Sequence, residues 1–367
     1  MVVLSVIGTH VEQARAEPTS SLAEACAAAI RTIEWRWVKP LLLFTFIFHV
    51  AVATILLGSG LPVGYFPMGQ GYVLIMFMLG CIVSSWYIFG PQVAVDMVRQ
   101  VRGLQVTPFN ERIAHMVKLI AAGWVLVLIF GVVMMTNANL KPAIFALNPV
   151  NYDSQLEAVE RALFGGVLPT EWFLTHSSTP ALHAWDFVYR LFCVFLFASM
   201  MIALHLEGMR GGARFILALS AALFITQIAS VMYPTWGPIY EHPNWFHVLW
   251  DTRTHERAHN LALSVQQYLA EPKVRYAVAG ISAMPSYHVA AWSCGLMCWL
   301  RLPRLLLAFG CVLVVLNWIS TVVLGWHYAL DGAAGIVVAV VATALAVWVI
   351  PKASQTSNDP PAADRTI

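Results

Sequence analysis

The sequence has few charged residues. Lys, Arg, Asp and Glu together make up 11% of the 367 residues, against roughly 25% in an average soluble domain. Hydrophobic residues make up 59%, which is more than a soluble chain of this length could hide from water. These proportions exclude a soluble enzyme, a disordered scaffold and a secreted domain held by disulfides, and they predict a polytopic membrane protein. The formal net charge of +2 gives no reason to expect nucleic acid as a partner.

Long apolar runs account for most of the chain. A hydrocarbon core of about 30 Å needs about 20 apolar residues per helix, and helices are favoured there because they satisfy every backbone polar group internally. The sequence therefore predicts an all-α polytopic membrane bundle with about eight transmembrane helices. The predicted spans are 39–58, 72–94, 114–136, 183–205, 213–233, 285–301, 303–325 and 331–350.

The predicted spans divide the chain into three parts. Residues 1–136 are expected to form an interfacial helix near 20–37 followed by three transmembrane helices. Residues 137–350 hold the other five spans and two long polar loops, at 137–182 and 234–284. Residues 351–367 are polar and contain two consecutive prolines, so this part is expected to be a disordered tail.

The distribution of basic residues predicts the orientation in the membrane. Of the 21 lysines and arginines, 14 fall on the side of the N-terminus and six on the other, with Arg190 inside the fourth span. Cytoplasmic loops carry the excess of Lys and Arg. The N-terminus is therefore expected in the cytoplasm, and the two long loops on the extracytoplasmic face of the plasma (inner) membrane.

Two histidines are expected to meet at this outer face. His327 precedes Asp331 by four residues, so both lie on one face of a helix, and the carboxylate can orient the imidazole while its other nitrogen serves as a nucleophile. His288 lies upstream, and two membrane crossings bring the chain back to the same side. Pro285 and Ser286 suit a helix start whose amides can hold an anion. This set fits phosphoryl transfer through a phosphohistidine, whereas the alternative is two capping histidines and a buried ion pair.

The spacing of these residues resembles the motifs of the type 2 phosphatidic acid phosphatase/haloperoxidase superfamily. Its Pro-Ser-x-His motif matches Pro285, Ser286 and His288, and its Ser-Arg-x5-His-x3-Asp motif matches at Ser320, His327 and Asp331. The resemblance implies a phosphatidic acid phosphatase-type catalytic membrane domain over residues 137–350. It also implies that His327 is the nucleophile, that Asp331 orients it, that His288 protonates the leaving alcohol, and that no metal or organic cofactor is needed.

Two departures from the superfamily motifs point to one of its branches. Thr321 stands where the general family has Arg, and the Lys-x6-Arg-Pro motif is absent because Gly280, not Arg, follows Lys273 at that spacing. Both losses remove phosphate-binding cations. Together with Pro234-Thr235 after a span, they resemble inositol phosphorylceramide synthase and the sphingomyelin synthases.

Other groups must hold the phosphate if the motif cations are missing. The residues predicted to bind the substrate are Ser286, Tyr287, Thr235, Arg253, Arg257, Lys273 and Arg275. The alternative for the four cations is a solvated loop attracted to lipid headgroups. Arg190, four residues after Asp186, is predicted to form an intramembrane ion pair, with a phosphate contact as the alternative.

Two other classes of function compete with this prediction. The segment His255-Glu256-Arg257-Ala258-His259 matches the H-E-x-x-H pattern of zinc proteases, although Glu271 is the only nearby carboxylate downstream that could be a third ligand. A transporter would concentrate polar groups at the membrane midplane, whereas here they cluster at one face. Both classes are weaker predictions than phosphoryl transfer.

The sequence thus predicts a membrane lipid phosphotransferase similar to inositol phosphorylceramide synthase. The alternative is a lipid phosphate phosphatase of the same superfamily. The expected donor is a membrane phospholipid or lipid phosphate, and the expected acceptor of a transfer is ceramide or diacylglycerol.

Overall fold

The computed structural model describes residues 21–64, 108–272 and 280–352 of the chain. Within these ranges the regular structure is helical throughout, with no β-strand. Three predicted features lie outside the described residues. They are the span 72–94, the substrate candidates Lys273 and Arg275, and the tail apart from its first two residues. The α-helices are α1 (Leu22–Arg31), α2 (Val38–Gly58), α3 (Phe109–Leu147), α4 (Asp153–Leu163), α5 (Pro169–His176), α6 (Thr179–Arg190), α7 (Phe192–Met232), α8 (Pro238–Glu241), α9 (Arg253–Ala270), α10 (Tyr287–Trp299), α11 (Arg304–Val323) and α12 (Ala329–Val349).

Five helical segments in the described part of the chain are long and apolar enough to cross a membrane. They are Trp35–Gly58, Phe109–Leu147, Thr179–Met232, Arg304–Val323 and Ala329–Val349. The described part of the chain is therefore all-helical, and these helices indicate a membrane protein. The count of eight spans is not confirmed, because two predicted spans fall in one segment, one predicted helix is short and one lies outside the described residues.

The segment Thr179–Met232 is interrupted inside α7. Gly208 has φ 60° and ψ −151°, which is not helical, and only glycine adopts such a conformation readily. The break separates the two stretches predicted as spans 183–205 and 213–233. Beside it, Glu207 pairs with Arg214 (2.7 Å) and with Arg301 (3.0 Å). These ion pairs connect the break in α7 to the turn between α10 and α11.

The predicted span 285–301 is a shorter helix than expected. Helix α10 has 13 residues, which corresponds to about 20 Å of rise. Pro285 lies in the segment before the helix and Pro303 just before the next one, and proline fits a helix start better than a helix interior. Helix α10 thus begins where the outer segment ends, with Ser286 as its N-cap.

Helix α7 lies at the centre of the bundle and packs against α3, α10 and α12. Its contact with α10 contains large aromatic side chains: Phe195 stacks on Trp292 with ring centroids 4.3 Å apart, and the indole N–H of Trp299 donates to Ser199 (2.9 Å). The outer surfaces of α11 and α12 expose large apolar side chains such as Leu305 and Trp348. This pattern suits a bundle with a packed interior and a lipid-facing exterior.

Helices α4, α5, α6, α8 and α9 form a covering layer at the end of the bundle where α10 and α12 begin. Helix α6 is joined to α9 by a hydrogen bond from Thr254 to Asp186 (2.5 Å). Helix α5 is joined to α11 by a hydrogen bond from Thr170 to the carbonyl of Val322 (2.9 Å). The layer also contacts the starts of α10 and α12, because Tyr189 of α6 lies 2.9 Å from His288 and Glu160 of α4 accepts the N–H of Leu330.

Candidate active site

The structure brings His288 and His327 together. Their ring centroids are 5.8 Å apart, although 39 positions separate them in the sequence. His288 belongs to the first turn of α10, and His327 lies just before α12. This proximity is what the two predicted crossings imply, and the rings stand edge to face with 62° between their planes.

Two acceptors surround Nδ1 of His327. The carbonyl of Ala283 lies 2.7 Å from this nitrogen, and a carboxylate oxygen of Asp331 lies 3.4 Å from it. The shorter contact indicates that Nδ1–H donates to the Ala283 carbonyl, and the carboxylate stands beside it as an ion-pair partner. The tautomer of His327 is therefore fixed by a backbone group as well as by Asp331, and Nε2 is the nitrogen left for chemistry.

Asp331 has a second contact that is structural. The same carboxylate oxygen accepts the N–H of Tyr328 (2.8 Å), at the start of α12. Both Asp331 and His327 are buried, with 0% and 4% of their surfaces exposed. Little water therefore screens their interaction, and the carboxylate can offset positive charge that develops on the imidazole during a reaction.

The starts of α10 and α12 are attached to each other. The N–H of Ser286 donates to the carbonyl of Asp331 (2.9 Å). Gly335, one turn further along α12, packs so closely that a Cβ there would lie 2.5 Å from the carbonyl oxygen of Ser286. This close approach requires glycine, and it holds the two histidine-bearing segments in one arrangement.

Three of the predicted substrate-binding side chains already have protein partners. The hydroxyl of Ser286 accepts the N–H of Val289 (3.3 Å), and that of Thr235 accepts the N–H of Met284 (2.9 Å); both residues are buried. The hydroxyl of Tyr287 donates to the carbonyl of Leu219 in α7 (3.4 Å). Thr235 thus supports the segment that supplies the Ala283 carbonyl to His327.

The sequence matches one known protein family. Residues 154–345, more than half of the chain, match the PAP2 superfamily. The protein belongs to the PAP2 superfamily. No curated protein and no solved structure matches the sequence. Membership supports a phosphatase or phosphotransferase type of function, and the histidine pair lies within the matched residues.

The position of the missing PAP2 arginine is occupied by a buried threonine. The Thr321 hydroxyl donates to the carbonyl of Trp318 within α11 (2.7 Å), and its own carbonyl accepts the N–H of His327 (3.2 Å). Gly280, at the position of the other missing arginine, packs against the backbone of Lys141 and Pro142 in α3. Neither Thr321 nor Gly280 supplies a cation, but Gly280 lies beside the backbone of Lys141.

Among the described residues, two cations lie near His288, namely Lys141 and Arg257. Both positive charges act on His288, Lys141 from α3 and Arg257 from α9. Lys141 is partly buried, and no carboxylate among the described residues forms an ion pair with it. Sequence reasoning missed Lys141, because it lies outside every PAP2 motif and before the matched residues.

The other predicted cations are placed differently. Arg253 is exposed at the first residue of α9, and no contact in the described part of the chain joins it to the histidines. Arg190 pairs with Asp186 at 3.3 Å, which confirms the predicted ion pair. The structure describes two of the four loop cations, Arg253 and Arg257, and of these two Arg257 is the one near the histidines.

Tyr189 is a further residue of the site that no sequence pattern indicated. Its hydroxyl lies 2.9 Å from Nε2 of His288, and its ring stacks near Trp326 with a centroid distance of 6.1 Å. Helix α6 carries no PAP2 motif, so only the fold could reveal this contact. The hydroxyl lies where it can exchange a proton with His288.

Three carboxylates of α4 lie behind the site, spaced four and three residues apart on one helix face. Asp153 accepts the N–H groups of Trp236 (2.6 Å) and Gly237 (2.9 Å), and Glu160 accepts the N–H of Leu330 (2.7 Å). Burial raises the pKa of Asp153 to about 6 and that of Glu160 to about 7, although these hydrogen bonds oppose the shift. Asp153 and Glu160 thus hold backbone segments in place, whereas Glu157, the third carboxylate, accepts the hydroxyl of Tyr328 (3.0 Å).

The rival zinc motif lies in the first two turns of α9. His255 and His259 are one turn apart, as the pattern requires. Among the described residues, no group of three or more His, Cys, Asp or Glu side chains is arranged to hold a metal ion. The helix offers two nitrogen ligands in this part of the chain, whereas zinc sites in proteins use three or four protein ligands.

Proposed function

We propose that this member of the PAP2 superfamily is a membrane lipid phosphotransferase that works through a phosphohistidine. The observation that carries the proposal is the buried His327, held at Nδ1 by the Ala283 carbonyl and Asp331, with His288 5.8 Å away between the ring centroids. A nucleophile with a fixed tautomer and a second proton-active group nearby are the two parts that phosphoryl transfer needs.

The reaction has two balanced steps. In the first, Nε2 of His327 forms a bond to phosphorus, the bond from phosphorus to a lipid oxygen breaks, and His288 gives that oxygen a proton. In the second, an alcohol or water attacks the phosphorus, His288 takes its proton, and the bond to His327 breaks. The Tyr189 hydroxyl, 2.9 Å from Nε2 of His288, can relay the proton.

Lys141 and Arg257 are proposed to hold the phosphate in place of the missing motif cations. Both charges act on His288. A partly buried cation without a carboxylate partner among the described residues is costly in a membrane protein, and such residues commonly mark functional sites. A phosphate anion between them would supply the missing counter-charge.

Transfer to a lipid alcohol is favoured over hydrolysis because the loss of both motif cations resembles inositol phosphorylceramide synthase and the sphingomyelin synthases. In the orientation predicted from the basic residues, the site would face the extracytoplasmic side of the plasma membrane, where a donor phospholipid and an acceptor such as ceramide or diacylglycerol could both reach it. Hydrolysis by a lipid phosphate phosphatase is the second candidate, and it uses the same first step.

The test is an assay of the purified protein in lipid nanodiscs. Phosphorus-labelled phosphatidylinositol, phosphatidylglycerol and phosphatidate are supplied with and without ceramide or diacylglycerol. We expect label in a new lipid when an acceptor is present, and none with His327→Ala. His176→Ala, which changes an exposed histidine, is the matched control and should keep activity. Release of free phosphate without a new lipid would favour the phosphatase, and no turnover of any donor would refute the proposal.

The cations are tested separately. Lys141→Met should raise KM for the phospholipid and weaken inhibition by vanadate. Lys118→Met is the control, because it removes a lysine from the same helix about 35 Å away. Equal behaviour of the two variants would contradict the role given to Lys141.

A further inference from the structure

The connection between α4 and α5 exposes a run of apolar residues, 162–167, which forms an apolar tip. Every residue of the apolar tip is exposed, and none of them has a charged or polar side chain. Leu163 is 63% exposed and Phe164 is 50% exposed. Apolar surface is unfavourable in water in proportion to its area. The apolar tip therefore indicates a surface that an apolar environment covers.

Helix α4, which leads to the apolar tip, is amphipathic in the opposite sense to a helix on a soluble protein. Its carboxylates Asp153 and Glu160 are buried and accept hydrogen bonds from backbone N–H groups of the site. Its exposed residues towards the tip, Val159 and Leu163, are apolar. A soluble helix turns its apolar stripe inward and its charges outward. The inverted arrangement suits a helix that has lipid on its outer side.

The charges nearest the apolar tip are paired within the connection. Arg161 donates to the carbonyl of Gly166 (2.9 Å) and to the carboxylate of Glu171 (3.1 Å). The N–H groups of Phe164 and Gly166 donate to carbonyls of α4, at 2.8 and 2.7 Å. Backbone and charged groups that have protein partners can approach lipid at little cost, whereas unsatisfied ones cannot.

The apolar tip continues the lipid-facing surface of the bundle. Thr170 donates to the carbonyl of Val322 (2.9 Å), which lies in the last turn of α11, a helix long and apolar enough to cross a membrane. Val167 precedes Thr170 by three residues and so lies within about 11 Å of it. The tip is therefore at the depth where α11 leaves the hydrocarbon core. Trp172 of α5 is exposed beside it, and Trp is enriched at this depth.

We propose that the apolar tip is a membrane anchor that inserts into the leaflet on the side of the histidine site. Its partner is the boundary between the lipid headgroups and the acyl chains, which accepts the side chains of Leu163 and Phe164. The exposed residues at the start of α4, Ser154 and Gln155, are polar. Helix α4 thus descends from water into the leaflet, and its tip lies deepest.

Insertion also fixes the depth of the histidine site. Glu160 accepts the N–H of Leu330 (2.7 Å), three residues after His327. Leu163 lies three residues beyond Glu160 on the same helix, which corresponds to about 4.5 Å of rise. The anchor therefore holds the histidines close to the level of the headgroups.

The test uses the full-length protein in nanodiscs that contain labelled phospholipid. A photoactivatable benzophenone amino acid, which forms covalent bonds to nearby C–H groups, replaces one residue at a time. In place of Phe164 it should cross-link to lipid about as strongly as in place of Val337, which is exposed on the transmembrane helix α12. In place of Gln155, an exposed polar residue of α4, the yield of lipid adduct should be several-fold lower.

A second measurement removes the anchor. Leu163→Ser combined with Phe164→Ser should lower lipid cross-linking from position 159 several-fold, whereas Val337→Ser should leave it unchanged. Thermal unfolding of both proteins should match the wild type, because all three side chains are exposed.

Three outcomes would overturn the proposal, and none of them depends on turnover. A lipid yield at Phe164 no greater than that at Gln155 would place the apolar tip in water. Adducts to a second copy of the chain would make the tip an oligomer interface. Adducts to another part of the same chain would show that protein covers it.

Discussion

Asp331→Asn tests what the carboxylate contributes to His327. The substitution removes the negative charge but keeps an oxygen that can accept the N–H of Tyr328, which lies 2.8 Å from the wild-type carboxylate. Nδ1–H of His327 keeps its acceptor, because the Ala283 carbonyl at 2.7 Å belongs to the backbone. The variant should therefore fold and should retain the reactive tautomer.

The size of the effect follows from the separation of the charges. At the 3.4 Å between Nδ1 of His327 and the Asp331 oxygen, two full charges interact by about 5 kcal/mol at an effective dielectric constant of about 20. A transition state that develops about half of the imidazolium charge would lose roughly half of that energy. This corresponds to a decrease in rate of roughly 10²-fold. A larger decrease, near 10⁴-fold, is expected only when a histidine loses its tautomer as well.

The measurement is the rate of phosphoenzyme formation in a single turnover with labelled substrate, followed by rapid quenching. Glu160→Gln is the control, because it changes another buried carboxylate, which belongs to α4 and accepts the N–H of Leu330 at the start of α12. A loss of less than threefold in Asp331→Asn would show that the charge does not act on the nucleophile. A loss as large as 10⁴-fold would show that the Ala283 carbonyl does not hold the tautomer.

Four further predictions follow from the same site. His327→Ala should abolish turnover of every substrate. His288→Ala should lower the rate about 10²–10⁴-fold with a lipid ester and much less with an aryl phosphate. Label trapped on His288 would reverse the two roles. Burial raises the Glu160 pKa from 4.5 to about 7, so the stability of the protein should fall by up to roughly 3 kcal/mol as pH rises through this range. Thermal unfolding at pH 5 and pH 8 should show a smaller difference for Glu160→Gln than for the wild type. EDTA should leave activity intact and vanadate should inhibit it, whereas restoration by zinc after chelation would support the protease alternative. In intact cells, an impermeant thiol reagent should label Asn260→Cys but not Lys352→Cys, and the reverse pattern would place the site in the cytoplasm.

The sequence was informative where function depends on side chains at fixed spacing. His327 and Asp331 are in contact as predicted, but not on one helix face: His327 lies in the turn before α12 and Asp331 in the first turn of that helix. The proximity of His288 follows from counting membrane crossings. The PAP2 family itself could be inferred from these residues, because few other arrangements place them in this order.

The remaining features depend on contacts that carry no local signal. The Ala283 carbonyl is a backbone group, so any residue at that position could supply it. Lys141 and Tyr189 reach His288 from helices that lie far from it in the sequence and outside any motif. The count of spans failed for a related reason: hydropathy detects apolar residues, but it does not show that α10 is only 13 residues long or that Gly208 interrupts α7.

The attachment between the starts of α10 and α12 has a consequence for motion in the protein. The hydrogen bond from Ser286 to Asp331 and the close packing of Gly335 make the two histidine-bearing segments a single rigid body. A lipid cannot gain access by separating the histidines without breaking this contact. Access through the covering layer would instead displace α6 and α9, which Thr254 and Asp186 join, and would withdraw Tyr189 and Arg257 from His288 while the histidine pair stays assembled.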